Sequence, residues 1–352
     1  MGFALFRDAL DNRGGVHWVP IKGLETAKMM RLAEIRSPRR EERMHSPALD
    51  GKIARFPPAP GWTFRKTHAT MTLPISDLIL DALLAQDAPA GDLTTHALGI
   101  GACPGRITFA ARADMVLCCV EEAARMLERV GVTARARHRG GDRIAAGTIF
   151  LEGEGPAAGI HLAWKVAQTL VEYASGIATR TRRIVDAAQE VAPGIAVACT
   201  RKNFPGTKEI SVKAVRAGGA QMHRLGLSET LLVFPEHTVF LEGSASFHEL
   251  KRRHPERKLV VEVASADAAV AAAEAGADVL QLEKLSPDVV GEVVRRVAGM
   301  TPVPLVAAAG GITESNAAAY AATGCAILVT SAPYFAGPAD VQIVITKSGD
   351  LA

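Results

Sequence analysis

The chain has 352 residues, 48% of them apolar and only 5% aromatic, which is ample material for buried α/β cores packed from small side chains. The formal charge of +3 sits at one end: residues 1–70 hold 13 Lys and Arg against 7 Asp and Glu, the remainder 27 against 30. A basic leader on a slightly acidic body does not indicate a nucleic-acid binder. Nor does the sequence hold an apolar run long enough to cross a bilayer, or the pattern of a secretory signal at its amino terminus, so no membrane partner is expected. The five cysteines, Cys103, Cys118, Cys119, Cys199 and Cys325, are odd in number and show no Cys-x-x-Cys or zinc spacing, which fits a reduced, cytoplasmic compartment.

Residues 1–70 show weak periodicity, with Pro38-Arg39-Arg40-Glu41-Glu42-Arg43 and Pro57-Pro58-Ala59-Pro60-Gly61 as their clearest features. Charge runs and Pro clusters bury too little surface to offset the entropy of ordering, so a mostly disordered leader is expected, with Met71 as the alternative start. Ser76 is placed to cap a helix whose apolar positions are Leu78, Ile79, Ala82 and Leu83. Strands are expected at 106–112, 115–119, 132–139 and 148–153 and a helix at 120–130, together a small α+β domain over 71–175. A long helical stretch follows at 160–188, interrupted at Gly176. It carries Lys165, which reads equally as a snorkelling side chain or a ligand contact.

From 196 onward strand and helix alternate. Strands are expected at 196–199, 230–234, 259–263, 278–282, 304–308 and 326–330, and helices at 207–217, 244–253, 265–275, 287–298 and 313–322. Continuous apolar strands alternating with helices imply parallel pairing, and about six of them a partial or closed barrel over 176–335. A tail at 336–352 is expected to pack back on the amino-terminal domain. In a barrel every strand delivers its last residues to one mouth.

Reading those last residues gives Thr200-Arg201-Lys202-Asn203-Phe204-Pro205-Gly206 after the first strand, and soon afterwards Gly218-Gly219 and His223-Arg224-Leu225-Gly226-Leu227. Arg forks and Lys point charges between fixed turns hold a polyanion, although cationic runs also occur on plain solvated surfaces. Glu262 lies in the third strand, Glu283 and Lys284 follow the fourth, and Gly310-Gly311 follows the fifth. The two acids are suited to a divalent metal or to sugar hydroxyls; the alternative is that each pairs with a nearby Lys. Ala309-Gly310-Gly311-Ile312-Thr313, leading into a helix, offers bare N–H groups to a phosphate. His223 is assigned to anion binding before acid–base work.

Several of these residues together resemble the quinolinate phosphoribosyltransferase family, from about Met71 to nearly the end. The likeness is carried by Gly91-Asp92-Leu93-Thr94-Thr95, Ser175-Gly176-Ile177-Ala178-Thr179, Thr200-Arg201-Lys202 with Pro205-Gly206, Ala214-Val215-Arg216 with Gly218-Gly219, His223-Arg224 with Gly226-Leu227, Glu262 and Gly310-Gly311-Ile312. It implies an α/β protein with an amino-terminal α/β sandwich and a partial α/β barrel, paired as a homodimer in which each sandwich covers the partner's barrel. It also implies 5-phosphoribosyl-1-pyrophosphate and Mg²⁺ at the barrel mouth, and attack on the ribose C1 by a ring nitrogen of an aromatic acid as pyrophosphate leaves. On that pattern Glu262, Glu283 and Lys202 are catalytic and the two acids hold the metal. Lys165, Arg201, His223, Arg224, Phe234, Lys284, Gly310, Gly311 and Thr330 bind the small-molecule substrates.

The departures matter equally. Lys165 stands where the family has an Arg, Phe234-Pro235-Glu236-His237 where it has Lys-Asp-Asn-His, Glu283-Lys284 where it has Asp-Asn, Ala309 where it has Ser, and Thr330-Ser331 where it has Gly-Ala. The phosphoribosyl half is kept in outline while the half that grips a dicarboxylate is rebuilt. This resembles the ModD-type branch associated with molybdenum transport, and it implies an acceptor other than quinolinate. The alternatives are a true quinolinate enzyme of NAD biosynthesis, a phosphosugar-binding protein without turnover, and a barrel aldolase using Lys202 or Lys284.

Overall fold

The computed structural model describes residues 74–241 and 247–348. The expected leader at 1–70, the alternative start at Met71, the opening of the helix expected at 244–253 and the last residues of the tail lie outside the described residues.

Helix α1 (Asp77–Asp87) is capped by Ser76, whose hydroxyl accepts from the Leu78 N–H. Its buried face is Leu80 and Leu84 rather than the expected stripe, and Leu78 is 79% exposed. The entry of the chain sets this rotation: Ile75, just before the cap, is buried and donates its N–H to Glu122. After α2 (Leu93–Ala97), capped by Asp92, come β1 (Pro104–Ala111), β2 (Met115–Val116), α3 (Val120–Arg129), β3 (Thr133–Ala136), β4 (Arg143–Ile144) and β5 (Ile149–Pro156). β1 and β5 pair antiparallel at the centre of this layer, with β3 on the far edge of β5.

Helix α4 (Ala157–Val191) then runs 35 residues without a break, about 50 Å at the helical rise. Gly176, expected to interrupt it, has another reason to be glycine: an ideal Cβ there would lie 2.2 Å from the Gly337 carbonyl oxygen. Close approach of two backbones, not helix ending, requires the missing side chain. The first half of α4 buries Ala163, Ala167, Leu170 and Ala174 in the amino-terminal core; Ile184, Val185 and Ala188 join the second core.

That second core surrounds a seven-stranded, wholly parallel sheet. In chain order its elements are β6 (Ala196–Cys199), α5 (Lys208–Ala217), β7 (Gln221–Met222), β8 (Leu231–Val233), α6 (Pro235–Thr238), α7 (Phe247–Arg253), β9 (Leu259–Val263), α8 (Ala266–Glu274), β10 (Val279–Glu283), α9 (Pro287–Val297), β11 (Leu305–Ala309), α10 (Ala317–Ala321) and β12 (Ile327–Thr330). The strand order is β7-β6-β12-β11-β10-β9-β8, so β7 and β8 are free edges and the barrel is open. β7, the strand beyond the six expected, has two residues and no alternation to betray it. The chain ends with a 3-10 turn (Ala332–Phe335) and β13 (Val341–Lys347), which pairs antiparallel with β1.

The two faces of the curved sheet pack differently. Leu259, Val261, Leu280, Leu282, Val306 and Leu328 point outward against the helices, while Leu232, Val260, Val279, Ala307, Ala309 and Val329 cluster inside. The small inner side chains of β11, Ala307 and Ala309, leave space at the carboxyl ends of the middle strands. Among the described residues no helix is long and apolar enough to cross a membrane.

An ion pair fixes the first layer to the barrel. Lys213 of α5, 7% exposed, reaches Glu122 of α3, 1% exposed, at 2.6 Å, and Glu121 at 3.2 Å. Burial opposes the Lys213 charge, yet the hydrogen bond and charge of Glu122 outweigh it and raise the ammonium above its ordinary value. Removing Lys213 leaves the buried Glu122 with only the Ile75 N–H and, at 3.7 Å, Arg125 among the described residues. Lys213→Met is therefore expected to lower stability by about 3 kcal/mol, read as a fall in the urea midpoint, whereas Lys213→Met with Glu122→Leu should recover only part of it, because the Ile75 N–H then loses its acceptor. An unchanged midpoint in the single variant would refute this role.

Candidate active site

The strand ends open into a pocket of about 680 Å³ whose lining includes Arg201, Lys202, His223, Arg224, Phe234, Glu262, Glu283, Lys284, Gly310, Gly311 and Thr330. Eleven of the twelve expected site residues thus share one opening. Lys165 does not. It is exposed on α4, donates to Gln168 at 2.8 Å, covers the Trp164 ring at 4.2 Å, and lines a separate, mostly apolar groove with Tyr173, Phe204 and Tyr334.

The cations come from one side. β6 ends at Cys199, and the Thr200 carbonyl just beyond it accepts from the Tyr334 hydroxyl at 2.7 Å, which pins the exit that carries Arg201 and Lys202. His223 follows β7 and donates its backbone N–H to the Cys199 carbonyl at 2.8 Å. Burial, then the neighbouring Arg224 charge, pushes the His223 imidazole below its ordinary value, so it is neutral at pH 7.

Arg224 is the most informative of them. It is only 8% exposed, yet among the described residues its guanidinium makes no hydrogen bond and no ion pair; its neighbour is the Phe234 ring at 5.7 Å. Burial and the Arg201 charge both press its charge down, with Glu229 opposing them. Its side chain is mostly covered while its donors open into the pocket, which suits it to an anionic ligand.

The acids come from the other side, on the inner faces of β9 and β10. Glu262 and Gln281 are register partners, and Glu283 lies one inner position beyond Gln281. Burial raises the Glu262 carboxyl, as do Glu283 and Glu236, while a hydrogen bond from Gln281 and the Lys202 charge hold it down. Just beyond β10 stands Lys284 at φ 57, a left-handed backbone that is costly for a side chain bearing a Cβ. Its N–H donates to the Ala309 carbonyl at 2.7 Å. The facing Gly310 leaves room for this turn: an ideal Cβ there would meet Lys284 Cγ at 2.6 Å and Glu283 Oε1 at 2.8 Å.

Thr330 lines the pocket, and its buried hydroxyl donates to the Ile312 carbonyl at 2.7 Å, so it also fastens the Gly310-Gly311-Ile312 turn. One expectation needs correcting. The helix expected at 313–322 begins only at Ala317 and has five residues. Asn316 Oδ1 accepts the Thr313 N–H at 2.8 Å, and the Thr313 carbonyl accepts from the Ala317 N–H at 3.0 Å, so a single side-chain-closed turn precedes the helix. Any phosphate here would meet chiefly the glycine backbone.

Phe234 stacks on His237 with centroids 5.7 Å apart and planes 14° apart, and the Arg224 guanidinium lies over the ring at 5.7 Å. Four polar lining residues were not among the expected site residues: Thr200, Glu236, Gln281 and Ser331. Gln281 had a signal, because Val279, Gln281 and Glu283 share the inner face of one strand. Glu236 lies in α6, a helix of four residues, too short for any periodicity to point to it.

Comparison with known proteins agrees with this geometry. The family model described as quinolinate phosphoribosyl transferase, C-terminal domain, matches residues 177–344, and the corresponding N-terminal domain matches 92–175. A Rhodobacter capsulatus protein named pyrophosphorylase ModD is 47% identical over 69% of this chain and 95% of its own length. Its counterpart in Pasteurella multocida is 34% identical over 77% and 98%. Among solved structures, nicotinate-nucleotide pyrophosphorylase from Francisella tularensis superposes with a TM-score of 0.72 over 78% of this chain and 98% of that one; at 22% identity it speaks for the fold. The chain belongs to the quinolinate phosphoribosyl transferase family and is a ModD-like phosphoribosyltransferase.

Proposed function

We propose that this pocket transfers the phosphoribosyl group of 5-phosphoribosyl-1-pyrophosphate to a ring nitrogen of an aromatic acid-like acceptor other than quinolinate, releasing pyrophosphate. The observation that carries the reading is Arg224, a buried cation without a counter-ion among the described residues, opposite two carboxylates. A substrate with an anionic end and an incipiently cationic sugar satisfies both walls at once.

In this reading Arg201, Lys202 and Arg224 take the pyrophosphate and, with His223 and Lys284, the acceptor's carboxylate. Lys202 offsets charge growing on the leaving group. Glu262 and Glu283 face the ribose as it becomes oxocarbenium-like and stabilise that charge. The backbone at Gly310 and Gly311 receives the 5′-phosphate.

Among the described residues no group of three His, Cys, Asp or Glu forms a metal cage. Glu262 and Glu283 nevertheless fit Mg²⁺, which needs only one or two carboxylates when substrate phosphates complete its shell, and Glu262 has one oxygen without a partner. When bound, the ion would neutralise charge on the diphosphate. We further propose a homodimer in which Lys165, remote from its own pocket, serves that of the partner subunit.

Calorimetry with 5-phosphoribosyl-1-pyrophosphate and Mg²⁺ tests the reading. Wild-type protein is expected to bind, and Arg224→Ala to lose about a hundredfold in affinity or turnover, on the order of 3 kcal/mol. No binding by folded wild-type protein, or equal binding by the variant, would contradict it. A pyrophosphate-release screen over aromatic acids then identifies the acceptor. Phe234→Lys, which returns a cation beside Arg224, is expected to raise turnover of quinolinate. A decrease in a folded variant would remove Phe234 as the discriminating position.

A further inference from the structure

Gln281 occupies an unusual position in the floor of the pocket. It is 5% exposed and belongs to the inner face of β10, level with Glu262 on β9 and Ala307 on β11. Its Nε2 donates to Glu262 Oε2 at 2.6 Å, the only hydrogen bond made by the Glu262 carboxylate among the described residues. Its Oε1 is buried without any partner.

The amide cannot relieve this by turning over, because Oε1 would then face the Glu262 carboxylate, acceptor against acceptor. A buried acceptor without a donor is destabilising, and at an inner strand position a Leu or Met of similar shape would avoid the penalty. The neighbouring inner positions Val279 and Ala307 are apolar in that way. A polar residue that costs stability where an apolar one fits is explained by what it holds.

We infer that Gln281 is a positioning residue, whose amide locks one oxygen of Glu262 against the floor so that the other oxygen faces the ligand. Gln281 touches neither the phosphates nor the acceptor in this scheme. It acts through Glu262, and it sets the orientation of the carboxylate before the ligand arrives. The inference rests on the proposed phosphoribosyl chemistry and adds a residue that the family likeness did not bring forward.

A purely structural role and a positioning role predict opposite signs for one substitution. If Gln281 holds Glu262 for the ligand, Gln281→Leu removes the orphaned carbonyl and leaves the melting temperature within about 2 °C of wild type or above it. The same variant weakens binding of 5-phosphoribosyl-1-pyrophosphate with Mg²⁺ by about ten- to a hundredfold, the usual effect of losing a partner that orients a ligating side chain. Gln281→Met serves as a second isostere should the Leu variant fold poorly.

Calorimetry and thermal melts on the full chain decide the matter. Maintained melting with weakened binding in either isostere supports the inference. Binding within twofold of wild type, or weakened binding accompanied by a large fall in melting temperature in both isosteres, overturns it. Failure of wild-type protein to bind the ligand at all would instead count against the phosphoribosyl reading, so the two ideas fail separately.

Discussion

Arg224 is largely covered, yet its guanidinium donors meet no protein acceptor among the described residues and open into the pocket, where an anion can take them. Its chain position, just after the two-residue strand β7, is fixed by the His223 N–H on Cys199, and its flat face is covered by Phe234. Arg201 adds like charge beside it. A fold keeps such an arrangement when a ligand supplies the missing charge, and the opposing acids set a limit on that ligand. It must be anionic at one end and tolerant of carboxylates at the other.

The space for the ligand comes from a simpler constraint, the small inner side chains at the middle of the parallel sheet. Leucines and valines fill the outer layer against the helices, whereas Ala307 and Ala309 leave the inner layer shallow at β11. The polar residues Glu262, Gln281 and Glu283 fall on this inner face because strand side chains alternate. The layer carrying β1 and β5 is attached through α4 and through Lys213 with Glu122, so the pocket side of the barrel does not stand alone.

Much of this was legible in the sequence. Strands such as Ala196–Cys199 and Leu259–Val263 stand at the expected residues, since continuous apolar runs between helices have few other readings. The strand-end rule then gathered cations, acids and the Gly-Gly turn into one opening. What escaped depends on long-range contacts. Gly176 looked like a helix break because nothing local reveals Gly337 at its side. The second task of Thr330, holding the Ile312 carbonyl, was hidden because that partner is 18 residues away. The start of α10 shifted because one Asn side chain closes a turn that helical periodicity cannot distinguish from a helix. Gln281 reads as another polar strand residue until its unpaired oxygen is seen.

A crystal structure of the protein with 5-phosphoribosyl-1-pyrophosphate and Mg²⁺ tests the central claim most directly. Phosphate oxygens should lie within about 3.2 Å of the Arg224 guanidinium, with the ribose turned toward Glu262 and Glu283. A ligand bound with its sugar toward Arg201 and its phosphates toward Glu262, or one that leaves Arg224 still unpaired, would contradict the account.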